Sequence, residues 1–334
     1  MNKKRSGNRG LIAAVVAAFI LLAGSRELVS FMADWLFFRE VGFGEVFAKT
    51  FQAKLLSGLS FGVFAFLMIF INLRIASRRA FSLAGLNPLW ERVPQLRDLD
   101  LDRVLRWLSL GLSLFAVVFA FPVGSGYWEQ ALLFLNSTPA GLADPLFGKD
   151  VSFYFFTYPF VDALNIAARS LIVAAALLVL AVSVVRGGIV FIGTRLTVER
   201  AVKRHLGILA ALFLLSLSAS FLLDRYGLLT VEHGVLYGAS YADVHARLPM
   251  LLVMALLTAL AAVAVPVLTA RGSLAVPLAS FGLLIAAFVL GLQVYPSTMQ
   301  SFKVSPNEIV LEQFYFRDYI VFIRFGYGLE NMEL

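Results

Sequence analysis

The sequence predicts an all-α integral membrane protein with seven transmembrane helices, its N-terminus cytoplasmic and its C-terminus extracytoplasmic. Three observations predict it. Of 334 residues, 60% are hydrophobic and only 15% are charged, against ~45–50% apolar and ~25% charged in soluble domains. Seven apolar stretches approach the ~20 residues that cross a ~30 Å hydrocarbon core at ~1.5 Å per residue. Lys and Arg gather in alternate loops, as they do on the cytoplasmic side of a membrane protein. This composition excludes a soluble enzyme, a disordered chain and a secreted disulfide scaffold. Cysteine is absent, which also excludes disulfides, thiolate catalysis and Cys-based zinc sites.

The expected transmembrane domain covers residues 1–296. Its first span is 11–38. Lys3–Arg9, Leu11–Leu22 and Ala23-Gly24-Ser25 have the layout of a signal peptide. The apolar character resumes at Leu28 and runs to Phe38, so an uncleaved anchor is expected. The later spans are 55–73, 104–123, 166–185, 206–223, 248–270 and 274–295. The second, fifth, sixth and seventh contain no charged residue.

Orientation follows the cations. With the N-terminus inside, the inner segments hold Lys3, Lys4, Arg5 and Arg9, then the Arg-rich loop Arg74–Arg103, then Arg186–His205 and Arg271. The acids collect mostly on the other side. The formal net charge of +7 is therefore a topology signal, and nucleic acid is not expected as a partner. The expected location is the plasma (inner) membrane, with the lipid bilayer as the main partner and envelope proteins or lipids at the outer face.

The loops carry further expectations. The inner segment Arg186–His205 alternates apolar and basic residues and reads as an elbow with a short interfacial helix. The outer loop 124–162 is rich in aromatics, as an interfacial belt requires, and Tyr127–Asn136 reads as a short surface helix. Gly58-x-x-x-Gly62 allows a close helix contact. Pro266 is placed to kink the sixth span. Ser216 and Ser220, one turn apart, suit hydrogen bonding between helices. No internal repeat is visible. Residues 297–334 are expected to begin an extracytoplasmic segment, cut short and too small for a core of its own.

Chemical motifs are sparse. Asp98-x-Asp100-x-Asp102 opens like a calcium loop, but Arg103 stands where that loop needs glycine and Ser109 where it needs glutamate. A polar lead-in to the third span is expected instead. His233, Asp243 and His245 are the candidate metal ligands, a pair of histidines and a carboxylate in one outer loop. Their spacing matches no known signature. No phosphate loop, HExxH or GxSxG occurs, and no cofactor is expected.

Charges at the outer membrane edge are the most suggestive feature. Arg26, Glu27, Asp34, Arg39 and Glu40 lie at or after the end of the first span. Asp162 and Arg169 open the fourth, and Asp224-Arg225 close the fifth. Ionisable groups at such depth usually face protein and often mark function.

Several outer strings, taken together, carry a resemblance. They are Asp34–Phe43, Asp144–Tyr154, Leu223–Tyr226, Gly238–Ala246, Tyr295-Pro296 and Pro306–Glu308. In this order between seven spans the chain resembles the uncharacterised protein family 0182 of large prokaryotic membrane proteins, from about Leu11 to about Glu308. The resemblance implies a seven-helix membrane region followed by a large extracytoplasmic domain. The chain departs from it by ending at Leu334, with only traces such as Tyr327-Gly328-Leu329. The resemblance implies no activity.

Three functions follow. One is a membrane platform for an extracytoplasmic domain in envelope function. Another is an outer-leaflet enzyme acting on lipid-linked or envelope substrates, whose candidate acid/base groups are Asp34, Glu40, Asp144, Asp150, Asp224, Asp243 and His245. The third is a transporter, which the charge-free spans disfavour. Carboxylates converging in one pocket favour the enzyme. Carboxylates each spent on a neighbour such as Arg39, Arg225 or Arg247 favour the platform. Transport needs a continuous polar path, through residues such as Ser216, Ser220 and Gln293.

Overall fold

A computed structural model describes residues 25–78, 100–193, 195–233, 236–271 and 275–329. Among these, six segments are long and apolar enough to cross a membrane: Gly44–Ser77, Leu101–Gly126, Phe153–Val185, Arg200–Thr230, Asp243–Ala270 and Leu278–Gly326. They correspond to the second to seventh expected spans. The first lies outside the described residues up to position 24, and residues 25–40 form a helix, α1.

α2 (Gly44–Ser77) starts eleven residues before the apolar stretch that announced it, and Glu45 occupies its first turn. A carboxylate there suits the positive end of the helix dipole. α3 (Leu101–Gly126) is capped by Asp100, whose side chain accepts from the Arg103 amide, so Asp100 leads into the helix as a polar cap, while Asp98 lies outside the described residues. α4 (Trp128–Leu135) is the expected short helix. α5 (Tyr158–Val185), α6 (Arg200–Gly227), α7 (Leu248–Ala270) and α8 (Ala275–Phe288) follow.

The packing is that of a protein whose solvent is apolar. Small and medium side chains fill the interior: Ile69, Leu73, Ala175, Val179 and Leu209 between α2, α5 and α6, and Met254, Ala255 and Phe221 between α6 and α7. Large ones point outward, with Trp107 70% and Val263 67% exposed. In water such a surface would aggregate, whereas lipid solvates it. Serines satisfy themselves within their helices, as Ser77 and Ser109 do on the Leu73 and Leu105 carbonyls, and then meet across α2 and α3 at 3.3 Å. The Gly58-x-x-x-Gly62 motif faces α3, with Phe121 against Gly58 and Val117 against Gly62.

The helices carry a recurrent junction that the sequence reading missed. Each of the four π turns, Phe153–Thr157, Asp243–Arg247, Val289–Val294 and Gln300–Val304, stops two residues before a proline: Pro159, Pro249, Pro296 and Pro306. The residue just before each proline donates its N–H five residues back, as Tyr158 does to Phe153 and Leu248 to Asp243. Proline has no N–H and its ring crowds the preceding turn. A widened turn relieves that crowding and keeps the helix running.

One expectation is corrected. Arg186–His205 holds no interfacial helix. Ile189–Ile192 (β1) and Arg195–Val198 (β2) pair antiparallel as a hairpin. Its β-branched residues favour extended backbone. Gly187 and Gly193 take positive φ at the base and the turn, a conformation that only glycine adopts readily.

After Tyr295-Pro296 the chain stays helical through α9 (Tyr295–Met299) and α10 (Glu308–Gly326). The run from Leu278 to Gly326 is 49 residues. That length is about twice what a bilayer needs.

Candidate functional site

Residues from 144–155, 229–230, 238–247 and 296–326 line a cavity of about 980 Å³. It lies at the end of the bundle where α5 and α7 begin. Two of the candidate carboxylates, Asp144 and Asp243, line it, with Tyr154, Arg247 and Glu312. Asp150, Asp224 and His245 do not, and Asp34 and Glu40 are exposed on α1. Of the seven candidates, Asp144 and Asp243 therefore share the cavity and the other five do not line it.

Asp144 is buried and fully occupied. One carboxylate oxygen accepts the N–H groups of Leu146 and Phe147, and the other accepts Lys149 N–H at 2.7 Å and the Tyr154 hydroxyl at 2.8 Å. Its backbone closes the same turn, with its own N–H on the Lys149 carbonyl and the Gly148 N–H on its carbonyl. Gly148 holds a φ of +64 in that turn. The side chain thus replaces water for a loop that has no secondary structure to pair with.

Asp150 works the same way six residues on. It accepts from the amides of Ala140 and Gly141, both at 2.9 Å, and Ser152, at 2.8 Å. The last bond caps the helix that becomes α5. Hydrogen bonding from Ser152, then from the Ala140 and Gly141 amides, holds its carboxyl well below the ordinary 3.8. A depressed carboxyl adds stability above its unfolded value and surrenders it only as pH falls to the folded one. The cap therefore survives mild acid.

Asp243 closes a capping box. Ser240 N–H donates to its carboxylate at 3.0 Å, and its own N–H reaches the Ser240 hydroxyl at 3.2 Å. This reciprocal pair satisfies two donors at the start of the helix leading into α7. The carboxylate also meets Arg247 at 2.8 Å, with the Asp243 side chain only 3% exposed.

Three residues that the sequence reading missed complete this corner. Glu312 of α10 is buried and accepts the Tyr241 N–H with both oxygens, at 3.0 and 3.1 Å. A carboxylate there also meets the positive end of a helix dipole. Lys303 donates to the Tyr241 hydroxyl at 2.9 Å. Ser240-x-x-Asp243 was a readable capping signal. Glu312 was marked only by being an acid inside an aromatic stretch.

Of the metal candidates, the side chains of Asp243 and His245 are described, and each is engaged elsewhere. His245 stacks on the Tyr241 ring at 4.0 Å with Nδ1 facing the Tyr241 carbonyl, while Asp243 is held by Ser240 and Arg247. The side chain of His233 lies outside the described residues. No group of three His, Asp or Glu is poised around a metal among the described residues.

The polar and charged residues shared by α5 and α6 form a separate cluster. Ser216 donates to the Asn165 side chain at 2.8 Å, and Asn165 and Arg169 both donate to the Ser220 hydroxyl. Asp162, Arg169 and Asp224 interact electrostatically. A second polar contact lies towards the other end of α6, His205 to Asn72 at 2.9 Å. Buried Leu209 and Leu214 separate the two along that helix, and Gln293 is exposed elsewhere.

Comparison with known proteins gives a consistent result. Residues 11–334 match the Uncharacterised protein family (UPF0182). A UPF0182 protein of Pelobacter propionicus is 37% identical over 319 residues, 96% of this chain and 35% of the relative. One from Geotalea uraniireducens is 36% identical over 98% of this chain and 36% of its own length. One from Arthrobacter is 30% identical over 97% and 31%. The chain thus spans about a third of the length of these relatives. No solved structure matches.

Proposed function

The chain belongs to the Uncharacterised protein family (UPF0182), and on that premise we propose that it is a plasma-membrane platform that holds an extracytoplasmic portion in place. The N-terminus is inside, seven spans cross the bilayer, and the capped loops form a rigid outer surface for envelope proteins or lipids. One observation carries this reading: the outer carboxylates that line the cavity are spent on backbone amides and on Arg247. A general base needs a free lone pair, and a general acid a transferable proton, within reach of substrate. The transporter reading is weaker still, because the apolar layer at Leu209 and Leu214 interrupts the polar path between the spans.

Substitution tests this directly. Asp243→Ala removes a capping box and the partner of Arg247, and Asp150→Ala removes the acceptor of three amide N–H groups. Both are expected to lower the unfolding free energy in nanodiscs, Asp243→Ala by about 1.5–3 kcal/mol, the range for hydrogen bonds to a charged group. A pre-organised catalytic carboxylate behaves oppositely, because its removal commonly leaves stability unchanged or raises it. Unaltered or raised melting in both variants would reject the platform in favour of the enzyme.

A further inference from the structure

The end of the bundle opposite the cavity carries a surface that the platform reading does not use. β1 and β2 join α5 directly to α6, so the hairpin sits where two spans leave the bilayer. Its base is fixed: Gly188 N–H donates to the Ser183 carbonyl and Glu199 N–H to the Gly188 carbonyl. One face turns inward, with Val190 2% exposed. The other presents the cross-strand pair Phe191 and Leu196, 65% and 50% exposed, while Ile192, next to the turn on the Val190 face, is itself 47% exposed. Successive strand residues alternate faces, so this apolar pair is displayed by the register itself.

The charge around it has one sign. Arg195, Arg200 and Arg204 are exposed, and Glu199 is the single acid between Arg186 and His205. Arg186 is engaged by Asp102 at 2.7 Å and is not counted with them. Exposed apolar tips flanked by cations are the pattern of a segment lying in the headgroup region of an anionic membrane. A soluble protein partner would have to sit at the bilayer plane to reach the same residues.

We propose that the β1–β2 hairpin is an interfacial anchor, seating Phe191, Ile192 and Leu196 at the acyl–headgroup boundary while Arg195, Arg200 and Arg204 hold anionic lipid headgroups. The anchor fixes how deep the α5–α6 pair rides in the bilayer. This is independent of what the opposite end presents.

The chain has no cysteine, so a single Ile192→Cys, spin-labelled, reports on the tip alone. Collision rates with oxygen and with a nickel chelate are measured on the full chain in nanodiscs. One set contains phosphatidylcholine alone and the other phosphatidylcholine with phosphatidylglycerol. The expected result is gain of oxygen collisions and loss of nickel collisions in the anionic discs, reversed by high salt. Adding Arg195→Gln and Arg200→Gln is expected to abolish the difference between the two lipids. Equal nickel access in both lipids overturns the proposal. So does protection that depends on protein concentration and not on lipid charge, since a second copy would then be the cover.

Discussion

Asp144→Ala is expected to cost roughly 4 kcal/mol of unfolding free energy, or to prevent assembly of the outer loops altogether. Four donors lose their acceptor at once: the amides of Leu146, Phe147 and Lys149 and the Tyr154 hydroxyl. A buried donor left unsatisfied costs ~1–3 kcal/mol. Water can enter the vacated space and recover part of that, which keeps the total below the simple sum. Asp144→Asn is the informative companion. Its remaining oxygen still accepts from Leu146 and Phe147, but its amide nitrogen meets the Lys149 N–H donor to donor. About half the loss is expected. Chemical unfolding of the two variants beside the parent in identical nanodiscs checks both the size and the order.

Gly124→Leu is expected to have a comparable effect by a different route. A side chain at Gly124 would lie 2.5 Å from the Phe61 Cβ and 2.7 Å from the Ser57 carbonyl oxygen. A carbonyl of α2 cannot rotate away, so the two helices must part. Overpacking of this kind costs ~1–3 kcal/mol for a few added carbons, and leucine adds the loss of the Gly58 and Gly62 contacts along the same seam. The control is on the same helix. Gly111 has nothing within 4 Å of where its Cβ would be, so Gly111→Ala gains only the helix propensity of alanine, about 0.8–1 kcal/mol. The pair separates backbone freedom from close approach. Destabilisation at position 124 with neutrality or gain at 111, read from unfolding midpoints, is the expected outcome.

Much of the fold was written in the apolar runs. Segments such as Leu55–Leu73 and Leu206–Leu223 can be satisfied only as helices in lipid, and both are helical. Their ends were not legible, because a helix continues wherever backbone bonds can, as α2 does through Lys49 and Lys54. The hairpin at Ile189–Val198 was misread because its basic and apolar alternation suits a strand and a short amphipathic helix alike. Gly187 and Gly193 were the clue that a turn was required. Around the cavity the right residues were legible, with the wrong emphasis. Asp144, Asp150 and Asp243 do matter, but as acceptors for nearby amides, which Asp144-x-x-Phe147 and Ser240-x-x-Asp243 spell out locally. Glu312 was beyond reach, since its bond to Tyr241 spans 71 residues and its one local mark, an acid inside an aromatic stretch, names no partner.

The central claim is that these carboxylates hold the loops around the cavity closed. Amide hydrogen exchange on the full chain in nanodiscs reads those bonds without any substitution. The amides of Leu146, Lys149, Ala140, Gly141 and Tyr241 lie in loops or at helix starts, where no intrahelical partner exists. The account predicts that they exchange slowly, with protection approaching that of the flanking helices. Exchange at the rate of an open loop, with α5 and α7 still protected, would contradict it.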